Sequence, residues 1–426
     1  MIDAVIERCI GIDVGKKFLV ACVMTGPANG EARSEIREFG TTVSELRKLR
    51  EWIQQEACTH AIMESTGSYW KPIFNVLEDV VKVALANPYE VKARRGHKTD
   101  PKDAWWLAHL LRHAMITPSF IPPRWQRELR DLTRRRRKVI QAATSEKNRI
   151  EKTLEDANVK LSSVLADIFG VSGQLMLEAL LKGQADPIQI AQFAKRAAKK
   201  KIPQIIAALA EHQMSDHHRL MIRFSLDHLR FLEDQIYQLD QEICKKIREA
   251  GYEKHWELLQ TVPAVGEPNA ATILAEVGPD PRNFANEKHL SCWAGLCPGN
   301  HRSAGKNKGS RTTEGNRWLR GALTESAWGI AAKKDGHLRY KFWRIAAKSR
   351  PKAVVAIAHD LLVLAYFVLQ RGTPYEEKRG TPMTEAQKQR LIRHHLRRLG
   401  KLGVPVRSGF SSRGPHTPAI SLQAKT

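Results

Sequence analysis

Cys9-Ile10-Gly11-Ile12-Asp13-Val14-Gly15-Lys16-Lys17-Phe18-Leu19-Val20-Ala21-Cys22-Val23-Met24 is the stretch that decides the fold. Two apolar runs, Val5–Ile12 and Phe18–Met24, flank a break at Gly15-Lys16-Lys17. That pattern predicts two buried strands joined by a tight turn. Outward from it, residues 43–57 have helical spacing, with Leu46, Leu49, Trp52 and Ile53 on one face. Ala61–Met63 and Val81–Leu85 are short apolar runs of strand length, and Tyr69–Leu77 between them has helical spacing. Strands alternating with helices predict an α/β layer on a mixed sheet. The layer closes at Asn87-Pro88 and leads through basic Lys92–Lys98 into a helix over Asp103–Met115.

Four carboxylates punctuate this first region. Asp13 and Glu64 end apolar strands, and Asp100 and Asp103 lie three residues apart at the start of the following helix. Oxygen donors of this kind suit a hard cation such as Mg²⁺. Paired metals clamp both oxygens of a phosphodiester displacement. Singly, each carboxylate has a plainer use: Asp103 can cap its helix, and Asp13 can pair with Lys16 or Lys17. The four in this order favour a metal cage.

Pro118, Pro122 and Pro123 mark a linker. From about Arg127 to Asn158, and again from about Asp216 to Ala250, the chain is charged and has apolar residues at spacings of three and four. These stretches predict long amphipathic helices forming an antiparallel coiled pair, within one chain or between chains, with residues 160–205 as a helical insert. Residues 257–278 read as helix, Pro263-Ala-Val-Gly266 turn, helix. This resembles a helix-hairpin-helix, whose turn amides can face a phosphate. Beyond Gly372 the tail is rich in Pro, Gly, Arg and Ser, with a basic helix expected near 384–399.

The 426 residues carry 69 Lys and Arg against 45 Asp and Glu, a formal charge of +24. The excess is clustered, which points to a polyanionic partner, most simply nucleic acid. Arg134-Arg135-Arg136-Arg137 is one cluster; Lys16 and Lys98 flank the carboxylates. The segment Pro298-Gly-Asn-His-Arg302-Ser303-Ala-Gly305-Lys306-Asn-Lys308-Gly-Ser310-Arg311 is another, followed by Arg317 and Arg320 three apart on a helix. A serine in a Gly/Lys loop is either a phosphate contact or a nucleophile whose developing oxyanion the cations stabilise. Ser303 and Ser310 both qualify.

The six cysteines are dispersed without a Cys-x-x-Cys pair. Neither a zinc knuckle nor a disulfide framework is indicated, and Cys292 and Cys297 are expected to be buried thiols. Residues 1–8 lack the pattern of a signal peptide. The most apolar stretch, Ala353–Leu369, holds His359-Asp360 near its centre, which predicts a core helix and no membrane span.

The two motif sets together resemble the IS110/IS1111 family of insertion-sequence transposases, over roughly residues 8–370. Asp13, Glu64, Asp100 and Asp103 match the family's DEDD tetrad. Leu259–Gly278, Ala294–Pro298 and Gly315–Arg320 match its C-terminal domain, and Ser303 aligns with its nucleophilic serine. The resemblance implies an α/β RNase H/RuvC-like N-terminal domain (1–120), a long coiled-coil helical middle (121–252), a mostly α C-terminal domain with a helix-hairpin-helix-like motif (253–372) and a basic tail (373–426). It implies a Mg²⁺-dependent DNA recombinase acting through a phosphoserine, with donor and target DNA, a structured bridge RNA and a dimer-to-tetramer assembly as partners. A cytoplasmic, nucleoid-associated location in a bacterium or archaeon follows. Two alternatives stand beside it: a RuvC-type junction nuclease with no covalent step, and an inactive nucleic-acid-binding copy. Here Ser303-Ala304-Gly305 replaces the family's frequent Ser-Gly, and His359-Asp360 stands where an Arg-Lys pair is common.

Overall fold

The computed structural model describes residues 4–64, 67–87, 91, 100–184, 186–299, 302–303, 306–307, 311–377, 389, 392–393 and 396. It divides into two compact units, residues 1–131 and 132–426.

In the first unit the apolar runs form β1 (Arg8–Val14) and β2 (Phe18–Thr25), paired antiparallel with Asp13 opposite Val20. Both strands are buried along most of their length because helices cover both faces of the sheet. β3 (Arg33–Gly40) adds antiparallel to β2. The sequence reading missed β3, because Arg33, Glu35, Arg37 and Glu38 erase its apolar signature. It is an edge strand, where charge is favoured, and Glu35 bridges Arg33 and Arg37. After α1 (Val43–Gln55), β4 (His60–Glu64) pairs parallel to β1; after α2 (Trp70–Leu77), β5 (Lys82–Ala86) pairs parallel to β4. The order is β3-β2-β1-β4-β5, a mixed sheet as expected.

Strand alternation separates two cores. Ile10, Ile12, Leu19, Ala21, Ala61 and Met63 meet Leu46, Leu49 and Trp52 of α1 and Ile73 and Leu77 of α2. On the opposite face Cys9, Val20, Cys22 and Ile62 meet Ala104, Leu107, Ala108 and Leu111 of α3 (Asp100–Arg112). Burial pushes the thiols of Cys9 and Cys22 up to about 12. Arg112 closes the layer: buried, its guanidinium donates to the carbonyls of Ile6, Glu7, Gly26 and Pro27.

α4 (Arg124–Asp156) begins in the first unit and ends in the second, where it runs beside α9 (Asp216–Glu249). Ion pairs link Arg136 to Asp240, Glu146 and Lys147 to His228 (2.8 Å) and Glu233 (3.6 Å) respectively, and Asp156 to His218 (3.0 Å), so from end to end positions climb along α4 as they descend along α9. The pair is therefore antiparallel and within one chain. Ser215 and His218 form a reciprocal cap at the start of α9. The insert comprises α5 (Leu161–Val164), α6 (Val171–Leu181), α7 (Pro187–Ala191) and α8 (Ile202–Leu209). Leu161, Met176, Leu180 and Ile205 join Ile150, Leu154, Ile222 and Leu229 in one core.

The remaining helices are α10 (Glu253–Gln260), α11 (Glu267–Val277), α12 (Glu287–Trp293), α13 (Arg317–Ala332), α14 (His337–Ala346) and α15 (Arg350–Arg371). α15 packs on α13 and α14, with Ile357, Leu361 and Leu362 fully buried. Among the described residues it alone is long and apolar enough to cross a membrane, yet 56% of its most apolar window is buried inside the fold. Lys341 Nζ donates to Asp360 at 2.6 Å, so a charged pair sits against its middle, as the sequence led one to expect of a core helix.

Candidate active site

β1 and β4 supply two of the four carboxylates. Their parallel register ends with Ile12 beside Met63, so Asp13 and Glu64 occupy the next rung. Neighbouring strands lie about 4.8 Å apart. Both residues share the face of Cys9, Gly11 and Ile62, the face covered by α3.

α3 carries the other two. Cys9 Sγ donates to Ala108 O at 3.5 Å. A Cβ built on Gly11 would lie 2.3 Å from both Ala104 O and Ala108 N, so only glycine lets the helix backbone rest on β1. Ala108 thus sits over residue 9 and the 104–108 turn over residue 11. Four helical residues advance about 6 Å and two strand residues about 6.6 Å. One more such step brings the first turn of α3, with Asp100 and Asp103, over the end of β1 at Asp13. Asp13, Glu64 and Asp103 are half-buried and Asp100 is exposed.

The backbone assembles this corner, but the side chains do not close it. Among the described residues no three His, Cys, Asp or Glu side chains stand together closely enough to hold an ion. Asp13, Glu64 and Asp103 each already have an interaction partner, and clustered carboxylates repel one another. The sequence reading expected a closed cage; the structure gives four oxygen-bearing positions at one corner. Their donor chemistry suits a hard divalent cation. Lys16 is exposed on the β1–β2 turn; Pro88, Lys98 and Thr99 lie outside the described residues.

The serine region is a hairpin on a rigid base. β6 (Arg302–Ser303) pairs antiparallel with β7 (Lys306–Asn307), placing Ser303 opposite Lys306. Lower down, Gly299 N donates to Arg311 O at 2.8 Å, and Pro298 bridges Thr312. At the base a Cβ on Gly315 would lie 2.2 Å from Gly295 N, so the two segments touch backbone to backbone. Asn316 then caps α13, accepting from Trp318 N and Leu319 N at 3.0 Å, and its own N–H donates to Trp293 O. Asn300, His301, Ala304, Gly305, Lys308 and Ser310 lie outside the described residues, as does most of the basic helix expected near 384–399.

Glu276 of α11 holds this base from behind, and sequence reasoning missed it. Fully buried, it accepts from Arg134 at 2.7 and 2.8 Å and from Asn316 Nδ2 at 2.7 Å, joining α4, α11 and α13. Its signal was a lone acid in the apolar run Ala270–Val277. Of the arginines assigned to nucleic acid, Arg134, Arg136 and Arg137 are engaged by Glu276, Asp240 and Glu325 respectively. Arg135, Arg311 and Arg317 are exposed and Arg320 half-buried; Arg317 lies 4.8 Å over the Trp318 ring. The expectation for Cys292 and Cys297 needs correction: Cys292 is exposed and Cys297 half-buried, since both sit at the hairpin base outside the helical core. Burial and the neighbouring Cys292 thiol push Cys297 up to about 11. Residues 257–278 do form helix, turn and helix, with Trp256 Nε1 donating to Glu267 O at 3.0 Å.

Comparison with known proteins matches both centres in order. Residues 10–159 fit a model of IS110-type DEDD transposases, and residues 256–344 fit the transposase IS116/IS110/IS902 family model. The chain belongs to the IS110 family of transposases. A putative transposase of Sinorhizobium fredii is 31% identical over 161 residues, 36% of this chain and 41% of that protein. A probable family 20 transposase of Pseudomonas aeruginosa is 22% identical over 336 residues, 77% of this IS110-family chain and 89% of its relative. Thermus thermophilus RuvC is similar over 26% of this chain and 99% of its own, at 14% identity and a TM-score of 0.22; that score supports no argument.

Proposed function

We propose that this IS110-family chain is the DNA recombinase of an insertion sequence, cutting and rejoining DNA through a covalent phosphoserine. The observation that carries the reading is the carboxylate corner: the register of β1 with β4 and the seat of α3 on Gly11 bring Asp13, Glu64, Asp100 and Asp103 to one end of one sheet. In this reading residues 1–120 form the carboxylate domain, 121–252 a coiled-coil region, 253–372 the serine domain and 373–426 a basic tail.

Asp13, Glu64, Asp100 and Asp103 would hold a divalent cation, Mg²⁺ by preference, which would neutralise charge on a scissile phosphate. Asp13 and Glu64, fixed on strands, orient the phosphate's surroundings more rigidly than loop residues can. Ser303 Oγ loses its proton as it bonds to phosphorus, and the bond from phosphorus to a deoxyribose oxygen breaks, that oxygen leaving as a hydroxyl with a proton taken up in exchange. A strand hydroxyl then reverses the step on a new partner, so the phosphodiester count is conserved. Arg302, Lys306, Lys308, Arg311, Arg317 and Arg320 steady phosphates around that serine. Donor and target DNA are the substrates, a structured bridge RNA selects them by base pairing, and two to four copies act together in the cytoplasm on nucleoid DNA.

The test traps the intermediate. With nicked substrate and Mg²⁺, the natural chain is expected to form a protein–DNA adduct. Ser303→Ala is expected to form none while binding DNA as before, and Asp13→Asn to lose cleavage with its thermal transition intact. An adduct that survives Ser303→Ala moves the nucleophile to Ser310 or elsewhere. Mg²⁺-dependent cleavage with no adduct in the natural chain would replace this reading with a RuvC-type nuclease.

A further inference from the structure

Three large aromatic side chains stand in solvent at the join of α13 and α14. Tyr340 is 63% exposed, Trp328 51% and Trp343 44%. Burying such rings against a partner gains far more than leaving them wet. They are held, not loose: Trp343 Nε1 donates to Ala331 O at 3.3 Å. Both tryptophans rest on the buried Phe342 ring, with centroids 5.8 Å away for Trp328 and 5.3 Å for Trp343. Tyr340 lies three positions before Trp343 on α14, hence on the same side of the helix.

The charge around them is one-sided. From Lys333 to Lys352 the chain carries eight Lys or Arg and a single acid, Asp335. Lys333, Lys334, Arg344 and Lys348 are exposed. Two other exposed aromatics, Phe224 and Phe231 on α9, lack this setting and stand among alternating Arg223, Asp227, Arg230 and Asp234. Lysine is depleted from the centres of protein–protein interfaces, whereas flat rings among cations are what unpaired nucleotides require. Bases stack on the rings and the backbone follows the positive charge.

We infer that the α13–α14 surface is a binding platform for unpaired nucleotides, stacked on Trp328, Tyr340 and Trp343 with phosphates on the flanking lysines and Arg344. The inference rests on the nucleic-acid reading of this chain but not on its cleavage chemistry. It is tested on the full chain by fluorescence anisotropy with labelled twelve-residue oligothymidylate, the matching oligouridylate, and a fully paired DNA duplex. Removing a stacking ring by alanine substitution costs about 1–3 kcal/mol per base. Tyr340→Ala and Trp328→Ala are each expected to weaken unpaired strands about tenfold, with Trp328→Phe near natural affinity and duplex binding unchanged. Lys333→Ala with Lys334→Ala is expected to lower the salt slope by about 0.7 for each phosphate that is no longer neutralised. The oligouridylate and oligothymidylate arms tell an RNA from a single-stranded DNA occupant. Unaltered oligonucleotide affinity in Tyr340→Ala and Trp328→Ala, with normal melting, overturns the inference, and so does an equal loss on duplex. Loss of duplex binding by the natural chain would instead count against the recombinase reading.

Discussion

Gly11 is where a single methyl group would separate sheet from helix. Its α3-facing side is filled by Ala104 O and Ala108 N, each 2.3 Å from where a Cβ would sit. Gly11→Ala must lift α3, and overpacking of this kind costs about 1–3 kcal/mol. Urea denaturation is expected to show that loss. Cleavage should fall further than stability, since Asp100 and Asp103 ride on the displaced helix. A variant that melts lower yet cleaves normally would show that the helix need not sit so close. Glu276 makes the complementary case. Removing one partner of a fully buried ion pair costs about 3–5 kcal/mol, but Arg134 keeps about a third of its side chain in water, which lowers the cost here. Glu276→Gln leaves Arg134 facing an amide and is expected to lower stability by less than that range, with Asn316 and the hairpin base loosened. Hydrogen exchange at Trp318 N and Leu319 N, the amides Asn316 caps, is the measurement that sees it.

At the scale of elements, α14 and α15 hold a pH-dependent contact. Burial by itself would push the Asp360 carboxyl up; hydrogen bonds from His359 and Lys341 outweigh it and hold the group below its ordinary 3.8. A depressed folded value means stability that is present above the unfolded value and lost as pH falls through the folded one. Asp360→Asn is expected to flatten the acid limb of the stability curve below about pH 4, with little change in that limb's shape above pH 5, as followed by circular dichroism. The elements themselves were unevenly legible. β1, β2, β4, β5 and the helices α4 and α9 announce themselves, because burial on one or both faces imposes period and apolarity on the sequence. β3 does not, because an edge strand owes its place to backbone pairing, and its side chains meet water. The carboxylates were legible as residues, since strand ends and helix starts are marked by Gly, Lys and Pro. That Asp13 and Glu64 share a rung depends on strand order, which no local pattern records.

For the whole molecule, a charge of +24 sets the expectation for nucleic-acid binding. Affinity for nonspecific duplex should fall steeply and linearly in log–log form with salt. Not every cation contributes equally. Arg135→Ala and Lys138→Ala, exposed on α4, are expected to lower the slope with no change in melting. Arg134→Ala is expected to do the reverse, because its charge already serves Glu276. Isothermal titrations at four salt concentrations distinguish the two behaviours; equal slopes for all three variants would mean that α4 makes no phosphate contact.

The charged margin of the sheet reaches beyond folding. Arg33, Glu35, Arg37 and Glu38 line β3, two of its cations already shared with one carboxylate. Another chain laying a strand alongside would have to strip water from this row and match its alternating signs. A foreign strand is thus kept from zipping onto the β3 margin of the sheet. If copies act together as proposed, they meet elsewhere than along β3, and its row of charges stays in water.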